Sequence, residues 1–177
     1  MIDRQSIIDE ARRWIGTPSR THGRNKFGID CAGLISLTAQ NVGAYMQDDT
    51  VTTPAASQIG LRFYSLMRGV MDEVPAAEAK IGSVLMFWKR RPFLTNHVGI
   101  LVELSDFDDL VACPGRVVLS MPNGVQDCTM VGELAWSQVF AAFDYRLTKQ
   151  ANHRAPRRVL RGVEVVEHHG VEEPVNG

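Results

Sequence analysis

The first half of the chain carries apolar residues at helical spacing. Residues 6 to 15 place them on one face, and Ser6 is a good N-cap, so a helix is predicted there. A second helix with the same kind of pattern is predicted to begin at Asp30 or Cys31 and to stop at Gly43. The polar, glycine-containing residues between the two helices are predicted to form a loop.

The pattern changes to extended runs in the second half. A third helix, capped by Ser57, is predicted before a connector that runs from Val70 to Lys80. Apolar runs of strand length then follow, separated by turn signals such as Pro-Gly and Asn-Gly. The runs are Val84 to Trp88, His97 to Leu104, Arg116 to Met121, Val125 to Val131 and Val139 to Leu147. Because helices come first and strands follow, the order predicts an α+β fold with an antiparallel sheet.

Length and composition fit one globular domain followed by a polar arm. The chain has 177 residues, of which 45% are hydrophobic and 22% charged, and this is enough to form a core. Residues 1–148 are predicted to form the domain. Residues 149–177 are first basic and then acidic, with too few apolar residues to pack alone. This arm is predicted either to be flexible or to bind a partner, with Val159 to Val166 adding as a strand to a sheet edge.

Charge and cysteine spacing exclude several classes of protein. A net charge of -1 argues against binding to nucleic acid or to an anionic membrane surface. No apolar run approaches the roughly 20 residues of a membrane span, and the opening residues lack the pattern of a secretory signal, so neither is expected. Cys31, Cys113 and Cys128 match no zinc-site spacing, so we expect free thiols and neither a metal nor an organic cofactor.

Cys31 is the leading candidate for chemistry. It lies in the first turn of a predicted helix, directly after Asp30, which we interpret as a structural N-cap. Unpaired backbone N–H groups and the helix dipole at such a position favour the thiolate, the reactive form of cysteine. The alternative is that Cys31 is a small buried apolar residue with no reactivity.

His97 is the candidate base, because it opens a predicted strand that supports its side chain rigidly. An imidazole at this place can take the thiol proton and later give it to a leaving amine. The alternative is an ordinary surface or core histidine. A cysteine at a helix start together with a histidine at a strand start is more specific than either residue alone.

Four motifs surround these residues in a characteristic order. They are Gly-Thr-Pro at 16–18, Gly-Ile-Asp-Cys-Ala-Gly-Leu-Ile at 28–35, Gly-Ser-Val-Leu-Met-Phe at 82–87 and His-Val-Gly-Ile at 97–100. Together they resemble the NlpC-type cell-wall peptidases, a branch of the papain-like fold. The Gly-Thr-Pro variant on a short chain is most similar to the peptidases of phage tails and gene transfer agents.

The resemblance implies a cysteine endopeptidase that cleaves stem peptides of peptidoglycan, typically at the bond between D-glutamate and diaminopimelate. Cys31 and His97 take the places of the family's nucleophile and base. The family's third residue, often a histidine, lies on the next strand and orients the base. Here Ser120 matches that position best, and Asn123 or a backbone carbonyl are the alternatives.

Two further positions depart from the family. Ser19 stands where the family usually has a tyrosine near the substrate, and Ser83 replaces a common aspartate. We predict that Ser19, Arg20 and His22, which share one loop, contact the substrate. The alternative is that they are simply exposed loop residues.

The resemblance also implies a place of action. Because a wall hydrolase must reach the wall, we expect a protein that is made in the host cytoplasm, carried in a virion or phage-like tail tip, and active in the periplasm or cell wall. Residues 149–177 are then expected to bind tail or baseplate proteins. Two alternatives stay open: a structural tail component with little activity, and an amidase or acyltransferase of the same fold.

Overall fold

The structure is a computed structural model, and it describes residues 3–44, 60–88, 95–104 and 115–146. Three α-helices and eight strands are the main elements of this part of the chain, which also contains three short 3-10 helices. The helices are α1 (Arg4–Arg12), α2 (Cys31–Asn41) and α3 (Gly60–Val70). The strands are β1 (Arg24–Asn25), β2 (Gly28–Ile29), β3 (Met71–Val74), β4 (Val84–Trp88), β5 (Thr95–Glu103), β6 (Arg116–Met121), β7 (Gly124–Thr129) and β8 (Val139–Tyr145).

The strands form two antiparallel sheets, which confirms the predicted α+β class. β1 and β2 make a small hairpin, and the other six strands form one sheet in the order β3-β8-β4-β5-β6-β7. The central strand β5 lies between β4 and β6, so the candidate base belongs to the middle of the sheet. None of the helices that the structure describes has the length and apolar character needed to cross a membrane.

Both faces of the sheet are covered. Alternate residues of β4 show this, because Met86 packs in the core that includes α1 and α2, whereas Leu85 packs in a second core on the other face. The second core also holds Met130 and Leu134, which come from the segment between β7 and β8. Burial on both faces explains why β4 is a continuous apolar run in the sequence.

The first helix begins earlier than its pattern predicts. Its N-cap is Asp3, whose carboxylate accepts hydrogen bonds from the backbone N–H groups of Gln5 and Ser6. The predicted cap, Ser6, lies inside the first turn and donates its hydroxyl to the same carboxylate. Ile15 was predicted to lie on the buried face but is 45% exposed, because the helix ends at Arg12.

The remaining elements agree with the sequence apart from three short strands, and two of these, β1 and β2, lie in the segment between α1 and α2 that was predicted to be a loop. α2, β4 and β6 have the predicted bounds or begin at the predicted residue, whereas the predicted connector after Val70 contains the edge strand β3. Gly43, the predicted stop of α2, has a φ of +72°, the left-handed conformation in which many helices end. Ser57, Cys113 and residues 149–177 lie outside the described residues, so the domain boundary and the arm stay predictions.

Candidate functional site

The start of α2 is fixed by its cap. The Asp30 carboxylate accepts a hydrogen bond from the backbone N–H of Gly33 at 2.6 Å, and its backbone is extended, as expected for an N-cap. The same carboxylate accepts the backbone N–H of His22 at 2.8 Å. Cys31 is therefore the first helical residue, and Asp30 ties the preceding loop to it.

Close packing of glycines brings the β1–β2 hairpin onto the first turn of α2. A Cβ added to Gly33 would lie 2.5 Å from the carbonyl oxygen of Gly23, which is too close for any side chain. A Cβ added to Gly28 would likewise collide with the Arg20 side chain. Gly33 therefore permits the close approach of the two backbones. Gly28 serves the same purpose.

The Gly-Thr-Pro segment joins two parts of the fold through backbone hydrogen bonds. The N–H of Gly16 donates to the carbonyl oxygen of Val125 on β7, and the N–H of Val125 donates to that of Thr17, both at 2.9 Å. The N–H of Ile29 donates to the carbonyl oxygen of Pro18 at 2.9 Å. The segment thus links the edge strand β7 to β2, immediately before α2.

Cys31 lies against β5 next to the candidate base. The backbone N–H of Val98, the residue after His97, hydrogen-bonds to the Cys31 sulfur. The paired residues of β5 and β6 end at Gly99 opposite Leu119, which leaves this N–H for the sulfur. The fold therefore brings the start of α2 to the strand segment that carries His97.

His97 belongs to an irregular part of the sheet. It is half-buried and lies opposite Phe87, at a place where the register between β4 and β5 shifts between Phe87 and Trp88. The register between β4 and β8 also shifts, between Met86 and Phe87. Such bulges redirect side chains and are frequent beside active sites.

The Cys31 thiol is harder to ionise than its helix position predicts. Burial and the neighbouring Asp30 carboxylate raise the pKa of the Cys31 thiol to about 11, although the backbone N–H groups of Cys31, Ala32 and Val98 act in the opposite direction. The expectation of a favoured thiolate is therefore wrong for the resting protein. The physical reason is that loss of water around the sulfur outweighs the N–H groups at the helix start.

Ser120 lies close to the loop that leads into α2. It is buried, its hydroxyl donates to the carbonyl oxygen of Ile29 at 3.1 Å, and its Oγ is 3.4 Å from Ser19 Oγ. This bond leaves the lone pairs of the Ser120 hydroxyl to accept a proton donor. Asn123 is exposed on the turn between β6 and β7.

The three predicted substrate contacts lie on the exposed side of the same loop. Ser19, Arg20 and His22 are all exposed. The carbonyl oxygen of Ile29 binds the Arg20 N–H at 3.2 Å, and Ser19 bridges to Ile29. His22 has a φ of +58°, an unusual conformation for a residue other than glycine, and its N–H is held by Asp30.

Ser83 has a structural role instead of a place in the site. It is fully buried, and its hydroxyl donates to the Asp144 carboxylate at 2.6 Å. Asp144 also pairs with Arg4 at 2.6 Å. A carboxylate is thus present beside this position, but it comes from β8.

Sequence reasoning missed one charged residue at the site. Arg24 on β1 donates to the Asp30 carboxylate at 2.7 Å and to the carbonyl oxygen of Gly23 at 2.6 Å. Its place six residues before the cap gave no signal, because the hairpin that folds it back is only two residues long per strand. Among the described residues, no group of three or more His, Cys, Asp or Glu side chains is placed to hold a metal ion.

The fold is similar to those of solved NlpC/P60 proteins. A lipoprotein-like NLP/P60 family protein of Staphylococcus aureus aligns with a TM-score of 0.55 and 19% identity over 81% of this chain. The NlpC/p60 domain of the peptidoglycan hydrolase SagA aligns with a TM-score of 0.51 and 20% identity over 81% of this chain. An NlpC/P60 family protein of Bacillus cereus aligns with a TM-score of 0.57 and 17% identity over the same share.

The alignments differ in how much of each neighbour they cover. They span 41% of the staphylococcal protein and 40% of the Bacillus protein, but 99% of the SagA domain. No protein-family model and no curated protein matches the sequence. At these identities the likeness establishes the fold, which is the papain-like NlpC/P60 fold with mixed helices and an antiparallel sheet.

Proposed function

We propose that this protein is a cysteine peptidase that hydrolyses amide bonds in the stem peptides of bacterial peptidoglycan. The observation that carries the proposal is the contact between the Cys31 sulfur and the backbone N–H of Val98, directly after His97. A thiol at a helix start beside a strand-borne imidazole is the arrangement needed for nucleophilic catalysis. The fold neighbours, which include a domain of a peptidoglycan hydrolase, support the choice of substrate.

In the proposed reaction His97 takes the proton of the Cys31 thiol as the sulfur attacks the carbonyl carbon of the amide. The imidazolium then gives this proton to the leaving amine, and the C–N bond breaks to leave a thioester on Cys31. Water attacks the thioester while His97 takes its proton, and the carboxylic acid and the free thiol are released. The raised pKa of Cys31 supports transfer of the proton to His97 as the sulfur attacks.

Two groups are proposed to assist. The Ser120 hydroxyl, whose hydrogen is held by the carbonyl oxygen of Ile29, presents lone pairs that can accept the imidazole N–H and orient His97. The backbone N–H of Cys31 is proposed as one donor to the oxyanion. Ser19, Arg20 and His22 are proposed to contact the substrate, because they are exposed on the loop that leads into the nucleophile helix.

Digestion of purified Gram-negative peptidoglycan tests this function. Wild type, Cys31→Ala and Cys128→Ala are compared, with products identified by mass spectrometry; Cys128 is a half-buried thiol on β7 and serves as the matched control. We expect wild type and Cys128→Ala to release stem-peptide fragments and Cys31→Ala to release none. The masses also identify the bond, and so distinguish an endopeptidase from an amidase or acyltransferase.

A second candidate is a structural component with little or no activity. The raised pKa of Cys31 and the serine in place of a third histidine favour it, since both weaken a Cys–His pair. If folded wild-type protein releases no fragments, this candidate replaces the peptidase.

We further propose that the protein acts as part of a phage-like tail or baseplate, which delivers it to the periplasm or cell wall. The similarity of its Gly-Thr-Pro variant to phage-tail and gene-transfer-agent peptidases supports this location. Residues 149–177 are proposed to bind the tail proteins. Deletion of these residues should abolish incorporation into particles, and unchanged incorporation would refute the role of the arm.

A further inference from the structure

Arg24 contacts both the loop before α2 and the first turn of that helix. Its guanidinium donates to the Asp30 carboxylate at 2.7 Å and to the carbonyl oxygen of Gly23 at 2.6 Å. One of its nitrogens is also only 2.8 Å from where a Cβ on Gly33 would lie, so it packs on the first turn of α2. The side chains of the ion pair are 27% exposed for Arg24 and 19% for Asp30, so water screens the pair only in part.

The Asp30 carboxylate has two opposite effects on the nucleophile. As the cap it holds the first turn of α2 in place through the N–H of Gly33. As a negative charge next to the sulfur it disfavours the thiolate, and this charge is the largest contribution after burial to the raised pKa of Cys31. A cation that grips this carboxylate without disturbing the cap therefore favours ionisation of the thiol.

The other residues of the candidate site differ in kind. His22 comes from the turn before β1 and is exposed, His97 comes from β5, and β6 contributes the uncharged Ser120. Among the arginines and lysines of the described residues, Arg24 is the one that forms an ion pair with Asp30.

We infer that Arg24 is a positioning residue for the nucleophile: by gripping the Asp30 carboxylate against the first turn of α2, it sets how readily the Cys31 thiol reacts. Calling Cys31 the nucleophile rests on the proposed function. The reactivity of its thiol does not, so it can be measured in a protein that has no peptidase activity.

The test is the rate at which iodoacetamide, an uncharged reagent, alkylates Cys31 at pH 8, followed by peptide mass spectrometry. We expect Arg24→Gln to slow alkylation about fivefold. The Asp30 carboxylate is then no longer neutralised, and water screens its charge from the sulfur only in part. Arg24→Lys should give an intermediate rate, because lysine keeps the charge but loses the forked contact. Lys26→Gln removes the same charge from the exposed tip of the same hairpin and should leave the rate unchanged.

If Arg24 acts through Asp30, the slowing of alkylation by Arg24→Gln must depend on the Asp30 carboxylate. Asp30→Asn keeps a good cap and removes the charge, so alkylation should become faster. Adding Arg24→Gln to this variant should then change the rate by less than about twofold. Equal slowing by Arg24→Gln in both backgrounds, or no slowing in either, would overturn the inference. Rates in guanidinium chloride, where all variants should agree, together with circular dichroism of the native forms, show that the difference belongs to the folded protein.

Discussion

At the scale of single residues, the state of the Cys31 thiol decides how the site can work. Burial and Asp30 raise its pKa to about 11, and three backbone N–H groups limit the rise. A raised pKa favours the thiol over the thiolate at neutral pH, so the proposed attack depends on a base that takes the proton as the C–S bond forms.

The pH dependence of alkylation follows from this state. Below the pKa the thiolate fraction of Cys31 increases about tenfold per pH unit, so reaction with iodoacetamide should be slow at pH 7 and increase until about pH 11. Peptide mass spectrometry after short exposures separates Cys31 from the other two cysteines. A rate that is already at its plateau below pH 7 would show a preformed thiolate and would contradict the raised pKa of the Cys31 thiol.

At the scale of elements, glycines decide how closely α2 packs against the β1–β2 hairpin. Gly33 on α2 and Gly23 before β1 let the two backbones approach more closely than any side chain allows. The sequence predicts this role for Gly33, since a glycine inside a helix is otherwise unfavourable. It does not show which segment approaches, because the partner is fixed by tertiary packing.

We predict that Gly33→Ala destabilises the protein by about 1–3 kcal/mol, although alanine favours helix, because its Cβ would lie 2.5 Å from a backbone oxygen. Gly69→Ala on α3 is the matched control, since nothing lies within 4 Å of its Cβ position. That variant should be neutral or up to about 1 kcal/mol more stable. Urea denaturation measures both, and equal effects would show that the close contact has no energetic weight.

The boundaries of elements show where local pattern is insufficient. Asp3 and Ser6 are both suitable N-caps for α1. Asp3 is the cap in the structure, because its carboxylate accepts hydrogen bonds from two backbone N–H groups. β3 was missed because it is a four-residue edge strand with acidic residues at its centre, so its register comes from pairing with β8. The apolar strands β4 and β6 were predictable because burial on both faces demands an unbroken apolar run.

At the scale of the whole molecule, long-range contacts attach the N-terminal helix α1 to strand β8 of the sheet. Arg4 on α1 pairs with Asp144 on β8, and the buried Ser83 hydroxyl donates to the same carboxylate. Arg4 also donates to the carbonyl oxygen of Ile81 at 3.1 Å. Residues 140 positions apart thus meet at one carboxylate, and no local pattern of the sequence reports such a contact.

Removing this carboxylate should cost more stability than removing the carboxylate of an ion pair of similar exposure that accepts no buried hydroxyl. Asp144→Ala leaves a buried hydroxyl and a guanidinium without their acceptor, and we expect a loss of about 2 kcal/mol in the free energy of unfolding. Asp127→Ala breaks the pair between Arg116 and Asp127 across β6 and β7, which should cost less than about 1 kcal/mol. Thermal melts followed by circular dichroism compare them, and a larger loss for Asp127→Ala would contradict the structural role of Asp144.

The sequence names candidate residues for the site but not their electrostatics. Cys31, His97 and Ser120 were selected from motif order and stay predictions, and in the structure α2 packs against β5 and β6, the strands that carry His97 and Ser120. The raised pKa and the part of Arg24 depend on burial and on a folded hairpin. Neither can be predicted from residue spacing, because both depend on the folded structure.

The most direct test of the proposed Cys–His mechanism is turnover of a purified stem peptide by wild type, Cys31→Ala, His97→Gln and the double variant. We predict that each single variant loses at least about a thousandfold in kcat/KM, and that the double variant is no worse than either, because the two residues act as one unit. Circular dichroism confirms that each variant is folded. Turnover at the wild-type rate by Cys31→Ala or by His97→Gln would contradict the mechanism.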